Sequence, residues 1–232
     1  MKEIFDDWPE QYDRWFETPI GALVKEYESK LIRNMLQAGP GEHILDAGCG
    51  TGIFTHDLLA AGARVTGLDL SIPMLRRAGN KAVPYPFHMV QGDLRQLPFA
   101  GSSFDKAVSV TAIEFIEDAK SAVGELLRVT RPGGCIVVAS LNSRSPWAVR
   151  RKAAAAEGHT LFKHAYFRSP EEMAALAPFT GFSKTAIHFL KNEDPEQAHI
   201  IEGDAEAKGL DTGAFLVVRW EKTYDRQEDE NA

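Results

Sequence analysis

The chain has 232 residues, 44% of them hydrophobic, 25% charged and 9% aromatic, with a formal net charge of −7 at pH 7. These are globular proportions, and at roughly 100–200 residues per domain they allow one large domain with its own core. Two cysteines, Cys49 and Cys135, exclude a disulfide scaffold or a cysteine-rich zinc site, and the acidic balance argues against a long nucleic-acid track as partner.

The opening MKEIFDDWPE has no apolar run after Lys2, and no stretch of about 18 apolar residues occurs, so a cytoplasmic chain without a membrane span is expected. The first 40 residues form an aromatic-rich helical lead-in. From residue 43, short apolar runs alternate with helical patterns. HILDAG, ARVTGLDL, FHMVQGD, FDKAVSV and GGCIVVASL read as buried strands, and FTHDLLAAG, IPMLRRAGN and AKSAVGELLRVT between them as helices, with Gly62 and Gly79 at helix C-caps. This alternation predicts right-handed βαβ units in a parallel sheet. An insertion, 142–168, follows the fifth strand. SPEEMAALA then begins with a capping box, Ser169 and Glu172, before the strands KTAIHFL and AFLVVRW. The stretch 191–213 joining these two strands is polar and shows no pattern for a packed helix, so the last strand is expected to run antiparallel. TYDRQEDENA reads as a solvated tail.

The run Asp46-Ala47-Gly48-Cys49-Gly50-Thr51-Gly52 sits between the first strand and the helix beginning near Ile53. Glycines at such a turn let a ligand touch bare backbone at the carboxyl edge of the sheet. Asp69 ends the second strand about 20 residues after Gly48, where an acid can accept both hydroxyls of a ribose. Alone, Asp69 could instead be a helix cap for the segment starting at Ser71. A dinucleotide fingerprint, G-x-G-x-x-G, needs glycine or alanine where this chain has Ile53. Asp46 would repel a pyrophosphate and attract an ammonium or sulfonium, so a cationic amino-acid nucleoside fits better than NAD.

HILDAGCGTG, VTGLDLS with Met74 downstream, QGDLRQLPF, SSFDKAVSV and LLRVTRPGGCIVVAS, in this order over residues 43–141, resemble the class I S-adenosylmethionine-dependent methyltransferases. The resemblance implies a Rossmann-like, doubly wound α/β fold: a seven-stranded sheet, mostly parallel with an antiparallel last strand, in a three-layer α/β/α sandwich. It implies one domain, 1–232, with a helical cap at 1–40, a cofactor core at 41–141, a lid-like insertion at 142–168, the rest of the sheet at 169–222 and a tail at 223–232. The cofactor would be S-adenosyl-L-methionine and the product S-adenosyl-L-homocysteine. Asp46, Gly48 and Gly50 would hold its methionine end, Asp69 its ribose, Leu70 and Met74 the adenine faces. Asp93 would take the adenine amino group, Leu94 line the ring, and Thr111 close over the methionine portion. Cys49, between the loop glycines, fits as a small packing residue of this site rather than a nucleophile, since no histidine stands at a recognisable spacing.

WPEQYDRWFETPIG resembles the N-terminal segment that folds over the cofactor in a subset of these enzymes, where Tyr12 and Trp15 would cover the sulfonium. The insertion is basic and aromatic within an acidic chain and reads as a lid over the acceptor, with Trp147, Arg150 and Arg151 as candidate contacts. Methyl transfer needs a general base only if the acceptor must lose a proton; the candidates are Glu114, His159, His164 and Tyr166. No metal is required. The run after the fourth strand, Val110-Thr111-Ala112-Ile113-Glu114-Phe115, lacks the Pro-Pro-aromatic element of nucleobase amino methylases, and two cysteines are too few for arsenic methylation. A small-molecule acceptor is expected, with a cofactor-sensing module lacking chemistry as the alternative.

Overall fold

Seven strands join in the order β3-β2-β1-β4-β5-β7-β6. The computed structural model describes residues 5–82, 85–157 and 161–223. The strands are β1 (His43–Ala47), β2 (Arg64–Asp69), β3 (Phe87–Gln91), β4 (Phe104–Val110), β5 (Thr130–Leu141), β6 (Phe182–Ala186) and β7 (Phe215–Glu221). Strands β1 to β5 pair in parallel, and β7 runs antiparallel to both β5 and β6. The chain winds outward from β1 through β2 to β3, then returns to the other side of β1 with β4. A crevice therefore opens between the carboxyl ends of β1 and β4, where such sheets bind ligands.

The period of two along each strand divides the core in two. Ile44, Val65, Val108, Val137 and Val217 face one side, beneath α2 (Pro19–Leu36) and α3 (Thr55–Ala60). Leu45, Leu68, Ala107, Ile136 and Val218 face the other, against α5 (Ala119–Val129) and α7 (Pro170–Ala174). Each such fully buried side chain contributes about 1.5–3 kcal/mol. The three-layer sandwich is thus a direct consequence of strands apolar on both faces. The exceptions are the edges: β3 leaves Met89 and β6 leaves Phe182 largely exposed.

The lead-in folds as α1 (Pro9–Glu17) and α2. Thr18 separates them in an extended conformation, its hydroxyl accepting from the Gly21 amide and donating to the Trp15 carbonyl. Between β2 and β3 lies α4 (Ile72–Ala82), and after β5 come α6 (Pro146–Ala156), capped by Ser145, and the short 3-10 turn Leu161–His164. Ser169 and Glu172 form both halves of the capping box at α7.

Three expectations are corrected. The polar stretch before β7 contains a helix, α8 (Pro195–Lys208), started by the Asp194 side chain and Pro195 and ended by Gly209 at φ +62°. Its buried face is Ala198, Glu202 and Ala205, which gives no apolar periodicity. Strand KTAIHFL is shifted: β6 ends at Ala186 because the Glu202 carboxylate takes the amides of Ile187 and His188 at 3.0 and 2.7 Å, drawing them out of the ladder. Gly79 lies inside α4 rather than at its cap, with the Met89 side chain over it, whereas Gly62, at φ +85°, does turn the chain after α3. The expected tail lies outside the described residues apart from its first position.

Candidate functional site

A cavity of about 470 Å³ fills the crevice at the carboxyl ends of β1, β2 and β4, a size suited to a small-molecule ligand. Its floor is the glycine loop. Gly48, at φ +77°, has no room for a side chain, since a Cβ would stand 2.5 Å from that of Ala112. Its amide and that of Cys49 both donate to the Leu68 carbonyl, at 2.6 and 3.0 Å, which clamps the loop against the end of β2. A ligand in the cavity therefore meets backbone, as a phosphate-free cradle for a polar chain would require.

Asp46 lies beneath this loop, fully buried. One carboxylate oxygen accepts the Thr55 hydroxyl at 2.6 Å, and the other, Oδ1, has no partner. Burial pushes its pKa up to about 6, against the Thr55 hydrogen bond, with a further push from the charge of Asp69. An orphaned buried carboxylate oxygen leaves about 1–3 kcal/mol unsatisfied until a donor arrives.

Asp69 accepts the amide of Gly50 at 2.8 Å on one oxygen and that of Ser71 at 2.9 Å on the other. It is at once the cap of α4 and a brace for the glycine loop. Burial raises its pKa, and these amides hold it down. Each oxygen keeps a further lone pair, so the same carboxylate can still accept two vicinal hydroxyls. Leu70, half-exposed, and Met74, buried, line the wall beside it. Across the cavity, Asp93 is held ionised by Arg95, whose Nη2 and Nε reach it at 2.6 and 3.0 Å, and Leu94 lies next to it.

Thr111 follows β4 at φ +48°, a conformation rare for a β-branched residue and worth about 1–3 kcal/mol of strain. Its amide is anchored on the Ala139 carbonyl at 2.9 Å, and its side chain stands near the Tyr12 hydroxyl of α1. Burial of the Tyr12 hydroxyl drives its pKa upward. Tyr12 and Phe5 roof the cavity, and Phe5 packs edge-on against Phe115 with ring centroids 4.8 Å apart. The Cys49 thiol, buried beside Asp46 and Asp69, has its pKa raised well above normal by burial, which suppresses a thiolate.

The structure brings thirteen of the named residues to this cavity: Tyr12, Asp46, Gly48, Cys49, Gly50, Asp69, Leu70, Met74, Asp93, Leu94 and Thr111, and, at the far end, His164 and Tyr166. Other candidates lie elsewhere. Trp15 turns away from the cavity to meet Trp147 edge-on and to carry the Lys191 ammonium 4.7 Å over its ring. Trp147 is buried, its indole N–H donating to the Phe189 carbonyl at 2.7 Å, so α6 is moored to the core rather than hinged above it. Arg150 faces out toward Asn192, and Arg151 is sandwiched between Trp147 and Phe162, 5.1 Å from each ring. The charged lid is corrected accordingly: its candidate contacts are packing and surface groups. Among the described residues of the insertion, His164 and Tyr166, near its end, line the cavity. Glu114 stands behind the cavity wall, its pKa raised to about 7 by burial, with the Ser140 hydroxyl at 3.4 Å. His159 lies outside the described residues.

Sequence reasoning missed Phe5, Asp13 and Glu28. Glu28 had a readable signal: it interrupts the apolar stripe Val24, Leu31, Met35 of α2 with a carboxylate. Asp13 had none, because its partners come from distant segments.

Fold and cradle together define a doubly wound α/β protein with a ligand crevice at the carboxyl edge of its sheet and a buried, half-partnered carboxylate, Asp46, beneath the glycine loop. A family model described as a methyltransferase domain matches residues 45–138. Malonyl-[acyl-carrier protein] O-methyltransferase of Salmonella typhimurium is 31% identical over 175 residues, covering 75% of this chain and 68% of that one. Demethylmenaquinone methyltransferase of Mycolicibacterium paratuberculosis is 34% identical over 145 residues, 62% of this chain and 61% of the relative. The chain spans about half the length of the first curated relatives it matches, the enzyme of Serratia marcescens among them at 48%. Among solved structures, an S-adenosylmethionine-dependent methyltransferase of Thermotoga maritima, described as a possible histamine N-methyltransferase, superposes with a TM-score of 0.73 at 23% identity. That superposition covers 96% of this chain and all of the other. The chain belongs to the class I S-adenosylmethionine-dependent methyltransferases, and S-adenosylmethionine is the cofactor of that family.

Proposed function

We propose that this protein transfers the methyl group of S-adenosylmethionine to a small-molecule acceptor. The observation that carries the reading is the unpaired, buried Oδ1 of Asp46 beneath the bare backbone of Gly48, which fits a ligand bringing an ammonium on a flexible chain. Bound there, the cofactor supplies a methyl group already activated on a sulfonium sulfur. Asp46 and the glycine loop would hold the amino-acid end, Asp69 the ribose, and Leu70, Met74, Asp93 and Leu94 the adenine. Tyr12 and Phe5 would exclude water from above. The remaining contribution is alignment of the attacking atom, sulfur and methyl carbon, which is worth several kcal/mol where a site fixes reactants in contact.

The acceptor would enter at the end lined by His164, Tyr166 and Ile116. His164 is the cavity-lining group suited to take a proton from it. Glu114, behind the wall, would act on that end only through its field. The relatives' names carry two different acceptors, a carrier-bound malonyl group and demethylmenaquinone, so the shared chemistry transfers here and neither acceptor does.

Calorimetry with S-adenosylhomocysteine and NAD, followed by transfer of labelled methyl groups to a panel of phenols, carboxylates and amines, tests the reading. Tight NAD binding without S-adenosylhomocysteine binding would refute it. Cofactor binding with no transfer to any acceptor would favour a sensing module.

A further inference from the structure

Asp13, on α1, is a buried carboxylate in a helix that covers the cavity, and it gathers partners from both structures beneath that helix. Its Oδ1 accepts the Thr51 hydroxyl at 2.7 Å, and Thr51 lies inside the glycine loop between Gly50 and Gly52. The same oxygen meets the Lys81 ammonium at 2.6 Å, and Oδ2 takes Arg77 Nε. Arg77 and Lys81 are four residues apart on α4, so their side chains rise from one helix face toward one point. Lys81 also donates to the Thr51 hydroxyl at 3.0 Å, closing the cluster. Burial alone would raise the pKa of Asp13; the hydrogen bonds from Lys81, Arg77 and Thr51 outweigh it and lower it, so the group stays an anion.

Tyr12 is the residue next to Asp13 and lines the cavity together with Thr111. A second tie, the Ser71 hydroxyl on Asp6 at 2.7 Å, fastens the chain just before α1 to the start of α4. Beside these ties, α1 packs Trp15 edge-on against Trp147 and Phe16 against Phe54, and Asp13 is its one fully buried residue. The aromatic side chains seat α1 on the core, and the polar contacts of Asp13 are what tie it to the glycine loop and α4 in particular.

We propose that Asp13 is a positioning residue that latches α1 onto the glycine loop and α4, so that the helix closes the cavity over bound cofactor and sets how fast it leaves. The proposal rests on the reading that this cavity holds S-adenosylmethionine or its product. A latch of this kind acts through Tyr12: with Asp13 unpaired, the helix can lift and carry the roof with it. Charge-assisted hydrogen bonds are about twice as strong as neutral ones, so the carboxylate rather than its shape matters.

The test uses the full chain and S-adenosylhomocysteine. Displacement of radiolabelled S-adenosylhomocysteine by excess unlabelled ligand, sampled by rapid filtration, should show release from D13N at least tenfold faster than from the wild type, with association changed less than threefold. T51V, which removes one donor and leaves both cations, should show a smaller increase. R14A, which alters only an exposed pair with Glu10, should leave release unchanged. Hydrogen exchange over residues 9–17 supplies a readout that a merely structural role would not move: bound S-adenosylhomocysteine should slow it in the wild type and not in D13N. Release from D13N at the wild-type rate overturns the latch. If D13N does not fold, wild-type release from T51V overturns it instead. Wild-type protein that binds no S-adenosylhomocysteine overturns the cofactor reading and the latch together, whereas normal binding with unchanged release overturns the latch alone.

Discussion

Glu28 on α2 and Arg151 on α6 bury opposite charges in one region of the core without closing an ion pair. The guanidinium leaves its Nη1 unpartnered between two aromatic rings, and no hydrogen bond offsets the burial of Glu28. Glu114 shares the region. Burial raises Glu28 to about 8, partly countered by Arg151 and reinforced by Glu114, and raises Glu114 to about 7.

This arrangement fixes a pH dependence of stability. Both carboxyls ionise near their ordinary 4.5 in the unfolded chain but hold their protons to about 7 and 8 in the fold. Between those limits the folded state binds more protons, so stability falls as pH rises through the window from about 4.5 to 8. Glu28→Gln keeps the shape and removes one of the two titrations. Thermal melting at pH 6 and pH 8.5 should show a smaller loss for this variant than for the wild type. Parallel losses would remove Glu28 as a source of the dependence.

Asp69 braces the loop as well as facing the cavity, so Asp69→Ala should weaken S-adenosylhomocysteine binding by about 1–3 kcal/mol, the range for losing hydrogen bonds to a charged group. Asp69→Asn should weaken it too, because an amide can accept only one of the two backbone N–H groups from Gly50 and Ser71 and turns its own N–H groups toward the other. Calorimetry showing wild-type affinity for both variants would take Asp69 out of the ribose role.

The glycine loop offers an internal control. Gly48 and Gly50 both have positive φ, yet a Cβ on Gly48 collides with Ala112, whereas one on Gly50 meets nothing within 4 Å. Gly50→Ala should lose about 1–2 kcal/mol of stability from backbone strain alone, and Gly48→Ala about 1–3 kcal/mol more from overpacking. Denaturant midpoints rank the two. Equal losses would mean that Ala112 yields freely.

What the sequence discloses of this site is local: a strand, a glycine turn and an acid at the next strand end place Gly48, Asp69 and Asp93 around one crevice without knowledge of the rest. Residues whose role depends on a distant partner are not visible in this way. Trp15 and Tyr12 stand three apart on one helix, but the cavity admits only the latter, because Trp147 and Lys191 occupy the space beside the former. Helix α8 escaped notice although Asp194, Pro195 and Gly209 mark both of its ends, because an alanine and glutamate face breaks the apolar period. In that case the caps were better guides than the hydrophobic pattern.

The two arginines of α6 should now behave differently from each other. Arg150 is exposed and makes one hydrogen bond to Asn192 at 3.1 Å, so Arg150→Ala should change stability by no more than about 0.5 kcal/mol. Arg151→Met keeps an apolar stem between Trp147 and Phe162 but withdraws the one cation that supports both Glu28 and Glu114. At pH 6 those carboxyls are protonated, and losing a buried, unpaired guanidinium should be close to neutral or stabilising. Above pH 8 Glu28 must ionise without a counter-charge and Glu114 with Arg168 alone, and the same variant should be destabilised. Melting curves of Arg151→Met against wild type across pH 6 to 9 should therefore diverge as pH rises. A difference independent of pH would show that Arg151 contributes packing between the two rings and no charge balance to the carboxylates behind the cavity.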